Sequence, residues 1–214
     1  MPDDRRLTVV YGLPRGGTSA VACVLHRTGV DMGRVEGRVK TYPDGTSYPT
    51  YEDAGYLPFI HRHCGGRTVR QLEPGDLPAL AKYVNGRLRK AWPAGVKMPG
   101  MHLWSRVPGW VTLPVATVRV VRPFEDSVAS SIRKAGERNF RANAQEMMES
   151  MERFERQRKP DAVVHYYDLL DDTEGVVRRL IQDLIRAHAV PEDFLSSDRV
   201  DAAVRAISEY TASG

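Results

Sequence analysis

The chain has 214 residues, 42% of them apolar, with 31 basic against 27 acidic side chains and a net charge of +4. That is enough apolar material for one domain with a full core and too little for two. The mild positive charge is spread along the chain and fits a small anionic ligand as well as nucleic acid, while two cysteines, Cys23 and Cys64, exclude a disulfide framework and lack metal-ligand spacing.

At the N-terminus, Met-Pro-Asp-Asp-Arg-Arg leads straight into a strand-like run, and no apolar stretch approaches membrane-spanning length. No signal peptide, no membrane insertion and a cytoplasmic location are therefore expected. Leu7–Tyr11 is a strand of apolar and β-branched residues. It runs into the turn Gly12-Leu-Pro-Arg-Gly-Gly17, and an apolar helical pattern follows over Thr18–His26. Strand, glycine loop and helix in that order make a phosphate cradle, because the loop N–H groups and the helix N-terminus point at an anion. Gly12 and Gly17 have the spacing of a Walker loop, but Thr18 stands where its lysine belongs, and Arg15 is the only cation in the turn. Pro14, Arg15, Gly16, Gly17, Thr18 and Ser19 are the candidate anion-binding residues. The simpler alternative is a βα turn whose glycines serve tight packing. Cys23, on the apolar face of the helix, reads as a small core residue.

From Gly33 to Thr50 the chain is polar, rich in Gly, Pro and Tyr, and without a clear period. It is too long for a simple connection, so a substrate lid or binding loop is expected over about residues 33–56. A helix over Leu77–Trp92 and a short strand over Gly95–Met98 follow. Next come a β-branched strand over Val115–Val121 and helices over Glu125–Lys134 and Ala142–Gln157, the second with Met147, Met151 and Phe154 on one stripe. A strand over Ala162–Tyr167 and a helix over Glu174–His188 complete the pattern. Such alternation predicts an α/β fold of three layers, a central and mostly parallel sheet with helices on both faces, in one P-loop-like domain. Ligands of such sheets bind at the carboxyl ends of strands. The Gly12–Ser19 loop is at one such end and Arg122 at another. Pro123 then breaks the strand, Glu125 and Asp126 fall in the first turn of the next helix, and Ser130 lies further along it. The arginine fork and the serine hydroxyl can reach one phosphate together. Taken alone, a surface arginine and a helix serine is the simpler account of that pattern.

The two segments together resemble the sulfotransferases that use 3′-phosphoadenosine-5′-phosphosulfate. Gly12-Leu-Pro-Arg-Gly-Gly-Thr-Ser19 is similar to their 5′-phosphosulfate loop, and Arg122 with Ser130 to their 3′-phosphate site. Gly29-Val-Asp-Met-Gly33 and Tyr51-Glu-Asp53 resemble the region after the first helix in bacterial members. Val96-Lys-Met-Pro99 resembles the "V-K-x-P" strand end. Tyr166-Tyr-Asp-Leu169 resembles the "Y-E-D-L" that closes the last parallel strand, with Val176–Ala189 as the helix after it. The resemblance implies transfer of a sulfuryl group to a hydroxyl or amine of a small-molecule or carbohydrate acceptor, without a metal. It implies Arg15 at the bridging oxygen, where many eukaryotic members carry lysine, and N–H groups from Gly16 to Ser19 on the phosphosulfate. It also implies Lys97 near the sulfuryl group or acceptor and Tyr166 beside the adenine. The late "R-K-G" segment of the cytosolic animal enzymes has no counterpart, and Met98 stands where a polar residue often follows the lysine.

A general base must reach the acceptor hydroxyl. Glu36, inside the expected lid, stands where some bacterial members carry a catalytic glutamate, and His102 follows Lys97 near where cytosolic members carry a histidine. Glu52 and Asp53 match an acidic pair on the substrate side. His61 and His63 would not share a helix face, and His26, His165 and His188 belong to no constellation. Tyr42, Tyr48, Tyr51, Tyr56 and Trp104 line an acceptor pocket or else belong to the lid and core. Two other functions stay open. A small-molecule kinase using ATP and Mg²⁺ would share the sheet and loop, but the Walker lysine is absent and Asp168 follows only the last strand. A polyanion- or nucleic-acid-binding module would use the basic stretch Arg133–Arg141, which carries no RNA-binding signature and reads as a solvated helix end.

Overall fold

In the computed structural model, residues 4–35, 39–41, 45, 47–98, 100–135 and 140–212 are described. The strands are β1 (Leu7–Gly12), β2 (Val39–Thr41), β3 (Ser47–Pro49), β4 (Gly95–Lys97), β5 (Val115–Val121) and β6 (Ala162–His165). The helices are α1 (Thr18–Arg27), α2 (Tyr56–His63), α3 (Leu77–Lys90), α4 (Phe124–Ala135), α5 (Phe140–Gln157), α6 (Tyr166–Asp171), α7 (Thr173–Arg186) and α8 (Ser197–Ala212). Strands β4, β1, β5 and β6 form one sheet in that order, parallel throughout.

Alternation along each strand sorts side chains to two cores, since successive Cβ atoms point to opposite faces. Val10 joins Ala116, Val118, Val120, Ala162 and Val164 under α1, α7 and α8. Leu7, Val9 and Tyr11 join Val96 and Val115 under α2, α3 and α5. Both faces are thus covered, and β1 is buried along its whole length. A parallel strand buried on both faces reads as a continuous apolar run, which is what Leu7–Tyr11 is. The expected α/β class with a parallel sheet and helices on both faces is the observed one.

Several boundaries differ from expectation. The last strand stops at His165, because its neighbour runs out: Val121 pairs with His165 and is the last residue of β5 before Arg122 and Pro123. Tyr166 and Tyr167 turn into α6 instead, with Asp168 in its first turn. Helix α3 ends at Lys90 rather than Trp92, with Ala91 already extended and Pro93 disfavouring helix at Trp92. Within the polar stretch after Gly33, β2 and β3 pair antiparallel, Lys40 opposite Tyr48. Helices α2 and α8 lie outside the expected elements. The first buries Tyr56 and Ile60, and the second packs Val200, Ala203 and Ile207 into the α1 core. No helix among the described residues is long and apolar enough to cross a membrane.

The segment leading to α2 is pinned from inside. Asp53, 7% exposed, accepts hydrogen bonds from the Arg34 N–H at 3.2 Å, the Gly55 N–H at 2.9 Å and the Tyr83 hydroxyl at 2.9 Å. Burial pushes its carboxyl up. The Gly55 N–H, Tyr83 hydroxyl, Arg34 N–H and Arg87 charge more than offset this and hold it below the ordinary range. Arg87 in turn donates to the Asp31 and Gly95 carbonyls and pairs with the Asp31 carboxylate at 3.1 Å.

A carboxyl lowered on folding stabilises the fold above its unfolded-state value and loses that contribution as pH falls through the folded one. Asp53→Ala should therefore lower stability by about 1–3 kcal/mol at neutral pH, because the Tyr83 hydroxyl is left buried without its acceptor. Thermal melts from pH 6 down to about 3 should show a smaller acid destabilisation in the variant than in the wild type. Parallel acid limbs would remove Asp53 from the account.

Candidate functional site

The loop after β1 is shaped by close backbone approach. A Cβ on Gly12 would lie 2.7 Å from the Val120 carbonyl of the neighbouring strand, and one on Gly16 2.7 Å from the Leu13 carbonyl. Arg15 (φ 61°) and Gly17 (φ 93°) take left-handed backbone, which curls the loop, and the Gly16 N–H closes it onto the Leu13 carbonyl at 2.9 Å. A side chain at Gly17 would overlap the Tyr166 ring. Gly17 caps α1 without a side-chain acceptor, so the positive end of the helix faces the loop without a capping side chain.

Lys97, at the end of β4, reaches this helix start. Its Nζ donates to Ser19 Oγ at 2.9 Å and to the Thr50 carbonyl at 2.8 Å, and it pairs with Glu52 Oε1 at 3.0 Å. A lysine from the adjacent strand thus reaches the start of α1, where Thr18 stands at the position of a Walker lysine. Burial pushes the Lys97 ammonium below its ordinary range; the Glu52 carboxylate raises it, and the charges of Lys40 and Arg15 lower it further. Ser19 Oγ is itself 3.3 Å from the Thr50 carbonyl.

Arg122 and Ser130 close the other side. Arg15 Nε donates to Ser130 Oγ at 3.3 Å, and an Arg122 amino group donates to the Arg15 carbonyl at 3.0 Å. Ser130 is buried. The Arg122 guanidinium stands 5.0 Å from the Tyr166 ring centre and 5.6 Å from that of Tyr167. Its Nε is buried with no hydrogen-bond partner among the described residues.

Pro14, Arg15, Gly16, Gly17, Thr18 and Ser19 therefore meet Glu52, Lys97, Arg122, Ser130 and Tyr166 around one loop. Other candidates fall elsewhere. Glu36 and Tyr42 lie outside the described residues. His102 is buried in the 3₁₀ turn Met101–Arg106, and Asp53 turns inward to the backbone of its own segment. Trp104 and Tyr56 are core residues, joined by an indole N–H donated to the phenol oxygen at 2.9 Å. Tyr51 gives its hydroxyl to Cys23 Sγ at 3.2 Å. His61 and His63 are exposed on α2, and Arg141 is tied to Glu125 as a fork.

Four contributors escaped the sequence reading. Thr50 acts through its carbonyl, which no side-chain pattern signals. Asp126 read only as a helix start, and Tyr167 as a strand residue, yet the Tyr167 hydroxyl joins Asp126 Oδ2 at 2.8 Å and lies 3.4 Å from Arg122. Tyr210 arrives from α8: its hydroxyl hydrogen-bonds the Ser19 side chain beside Arg15 and Tyr166, and burial pushes the phenol up to about 12. The helical spacing of Val200, Ala203 and Ile207 was the available signal for α8. Among the described residues no group of His, Cys, Asp or Glu could hold a metal ion.

The chain is similar to the crystal structure of a sulfotransferase, STF1, from Mycobacterium tuberculosis H37Rv (type1 form). The identity is 18% and the TM-score 0.47, over 97% of this chain and 73% of that one. No family model matches the sequence, and no curated protein matches it.

The Lys97 surroundings set a titration. Its ammonium should lose its proton below the ordinary lysine range, and in Glu52→Gln lower still, since the carboxylate that favours the charged form is gone. The Lys97 side-chain ¹³Cε shift followed against pH reads this directly. An unchanged midpoint in the variant would show that Glu52 does not hold the ammonium.

Proposed function

We propose that the protein is a sulfotransferase, moving a sulfuryl group from 3′-phosphoadenosine-5′-phosphosulfate to a hydroxyl or amine of a small-molecule or carbohydrate acceptor. The observation that carries the reading is the bonding of both Arg122 and Ser130 to Arg15, from positions 107 and 115 residues away. A donor with anionic groups at both its 5′ and 3′ ends calls for cations on both sides of the loop, and Lys97 stands on one flank and Arg122 on the other.

The residues suit that donor. The uncapped start of α1 and the left-handed loop present N–H groups from Gly17 to Ser19 to a phosphosulfate, the Gly16 N–H being taken by the Leu13 carbonyl. The partnerless buried Arg122 Nε calls for an acceptor, and a 3′-phosphate supplies one. Tyr166, packed on Gly17 and faced by Arg122, offers its ring to an adenine. The donor supplies an activated S–O bond whose bridging oxygen gains negative charge as sulfur leaves. Arg15, in the loop itself, is the cation we assign to that charge; such a group stabilises the transition state more than the ground state. Of the candidate bases among the described residues, we favour Glu52, because its carboxylate contacts Lys97 beside the loop. Its carboxylate is 38% exposed at the rim and pairs with Lys97 Nζ at 3.0 Å. Of the segment we read as a lid, about residues 33–56, Thr50 and Glu52 take two of the Lys97 contacts.

The test begins with 3′-phosphoadenosine-5′-phosphate. Without metal, at a hundred times its dissociation constant, it should stabilise the fold by about 2.7 kcal/mol in thermal melts. Stronger stabilisation by ATP with Mg²⁺ would turn the reading to a kinase. Arg15→Ala should lower kcat by about 10²–10³ with a smaller change in nucleotide affinity, and Arg15→Lys should recover part of the rate. An unchanged chemical step in single-turnover kinetics of a folded Arg15→Ala would remove Arg15 from the transition state.

A further inference from the structure

Behind Arg122 stands a short chain of polar groups that the sulfuryl-transfer reading leaves unused. One Arg122 amino group donates to the Arg15 carbonyl at 3.0 Å, and the other lies 3.4 Å from the Tyr167 hydroxyl. That hydroxyl lies 2.8 Å from Asp126 Oδ2. A phenol has one proton to give, and a carboxylate can only accept. The proton therefore goes to Asp126, and the Tyr167 oxygen faces Arg122 as an acceptor. The direction is fixed from guanidinium to phenol to carboxylate.

We propose that Tyr167 and Asp126 are positioning residues that aim Arg122 and thereby set the preference of the site for a 3′-phosphorylated nucleotide. The inference rests on the nucleotide reading above. Arg122 lies between the last residue of β5 and Pro123, and its long side chain has many rotamers. Two anchored amino groups, with the ring faces of Tyr166 and Tyr167 at 5.0 and 5.6 Å, confine the guanidinium to one plane. The contacts come from three elements: the end of β5, the first turn of α4 and the start of α6. Tyr167 cannot act as a phosphate donor itself, because its proton is already given. A plain helix-start role for Asp126 accounts for its place in the first turn of α4 but not for its bond to a residue 41 positions away.

The charge of Asp126 makes the test decisive. A carboxylate beside an anion site opposes phosphate by simple Coulomb repulsion, so removing it would tighten binding if repulsion were its whole effect. If it aims Arg122, removing it weakens binding. Calorimetry would give dissociation constants for 3′-phosphoadenosine-5′-phosphate and for adenosine 5′-phosphate in the wild type and in Arg122→Ala, Tyr167→Phe and Asp126→Ala. The wild type should prefer the 3′-phosphorylated nucleotide and Arg122→Ala should lose that preference. Tyr167→Phe and Asp126→Ala should each reduce it by about 3–10-fold, the worth of one hydrogen bond, with the affinity for adenosine 5′-phosphate unchanged. A full preference in both variants, tighter 3′-phosphate binding in Asp126→Ala, or equal losses for both nucleotides would each overturn the aiming role. A wild type that does not discriminate between the two nucleotides overturns the nucleotide reading itself, and this inference with it.

Discussion

The site depends on the parallel pairing of β1 with β5 in the register that sets Gly12 opposite Val120. The strands approach so closely there that a Cβ on Gly12 would sit 2.7 Å from the Val120 carbonyl. Glycine permits that approach, and the loop after β1 consequently lies against the residues that follow Val120. Arg122 is two positions on and reaches the Arg15 carbonyl directly. On the other side of β1, Val10 pairs with Lys97 at the end of β4. Three neighbouring strands running the same way thus deliver three cations to one end of the sheet, each from a strand terminus. This is the general reason that open parallel sheets bind ligands at their carboxyl edge.

Gathering cations without a ligand has an electrostatic cost, and the chain meets it with fixed counter-charges. Glu52 stands against Lys97, and Asp126 stands behind Arg122 through Tyr167. The Arg15 carbonyl, turned by left-handed backbone, accepts from Arg122 and so holds the second cation against the first residue's own backbone dipole. Burial still disfavours the Lys97 charge, as its lowered proton affinity shows. The arrangement is one that an incoming anion relieves, because it adds negative charge where the counter-charges only partly balance the cations.

What the sequence disclosed follows from which signals are local. The run Leu7–Tyr11 and the β-branched Val115–Val121 are strands by their own composition, and the glycine loop by its punctuation. The contact between Arg15 and Ser130 is not local. It requires the strand order β4-β1-β5-β6, which no periodicity encodes. Composition carries the strand on through Tyr166 because Val163 and Val164 open the run and aromatic residues favour strands; the ladder ends at His165 because β5 has no further residue to pair. Asp53 carries the same chemistry as Glu52 one position earlier, yet one turns to backbone N–H groups and the other to Lys97. Only the path of the segment between Thr50 and α2 separates their roles. Thr50 contributes an oxygen that every residue has, so its part could not be read from its identity.

Lys97 also orders what binding would do. An ammonium has three N–H bonds and no acceptor, and Lys97 directs them at Ser19 Oγ, the Thr50 carbonyl and Glu52 Oε1. A ligand oxygen reaches Nζ only by displacing one of the three. Ser19 and Thr50 also contact each other at 3.3 Å, so releasing either disturbs a second bond. The Thr50 carbonyl would then keep only the longer bond from Ser19 Oγ. Glu52 is 38% exposed, so water can take the place of Lys97 at its carboxylate. Glu52 is therefore the partner that yields. Its departure would leave Thr50 bonded to Lys97 and the segment still fastened to the start of α1.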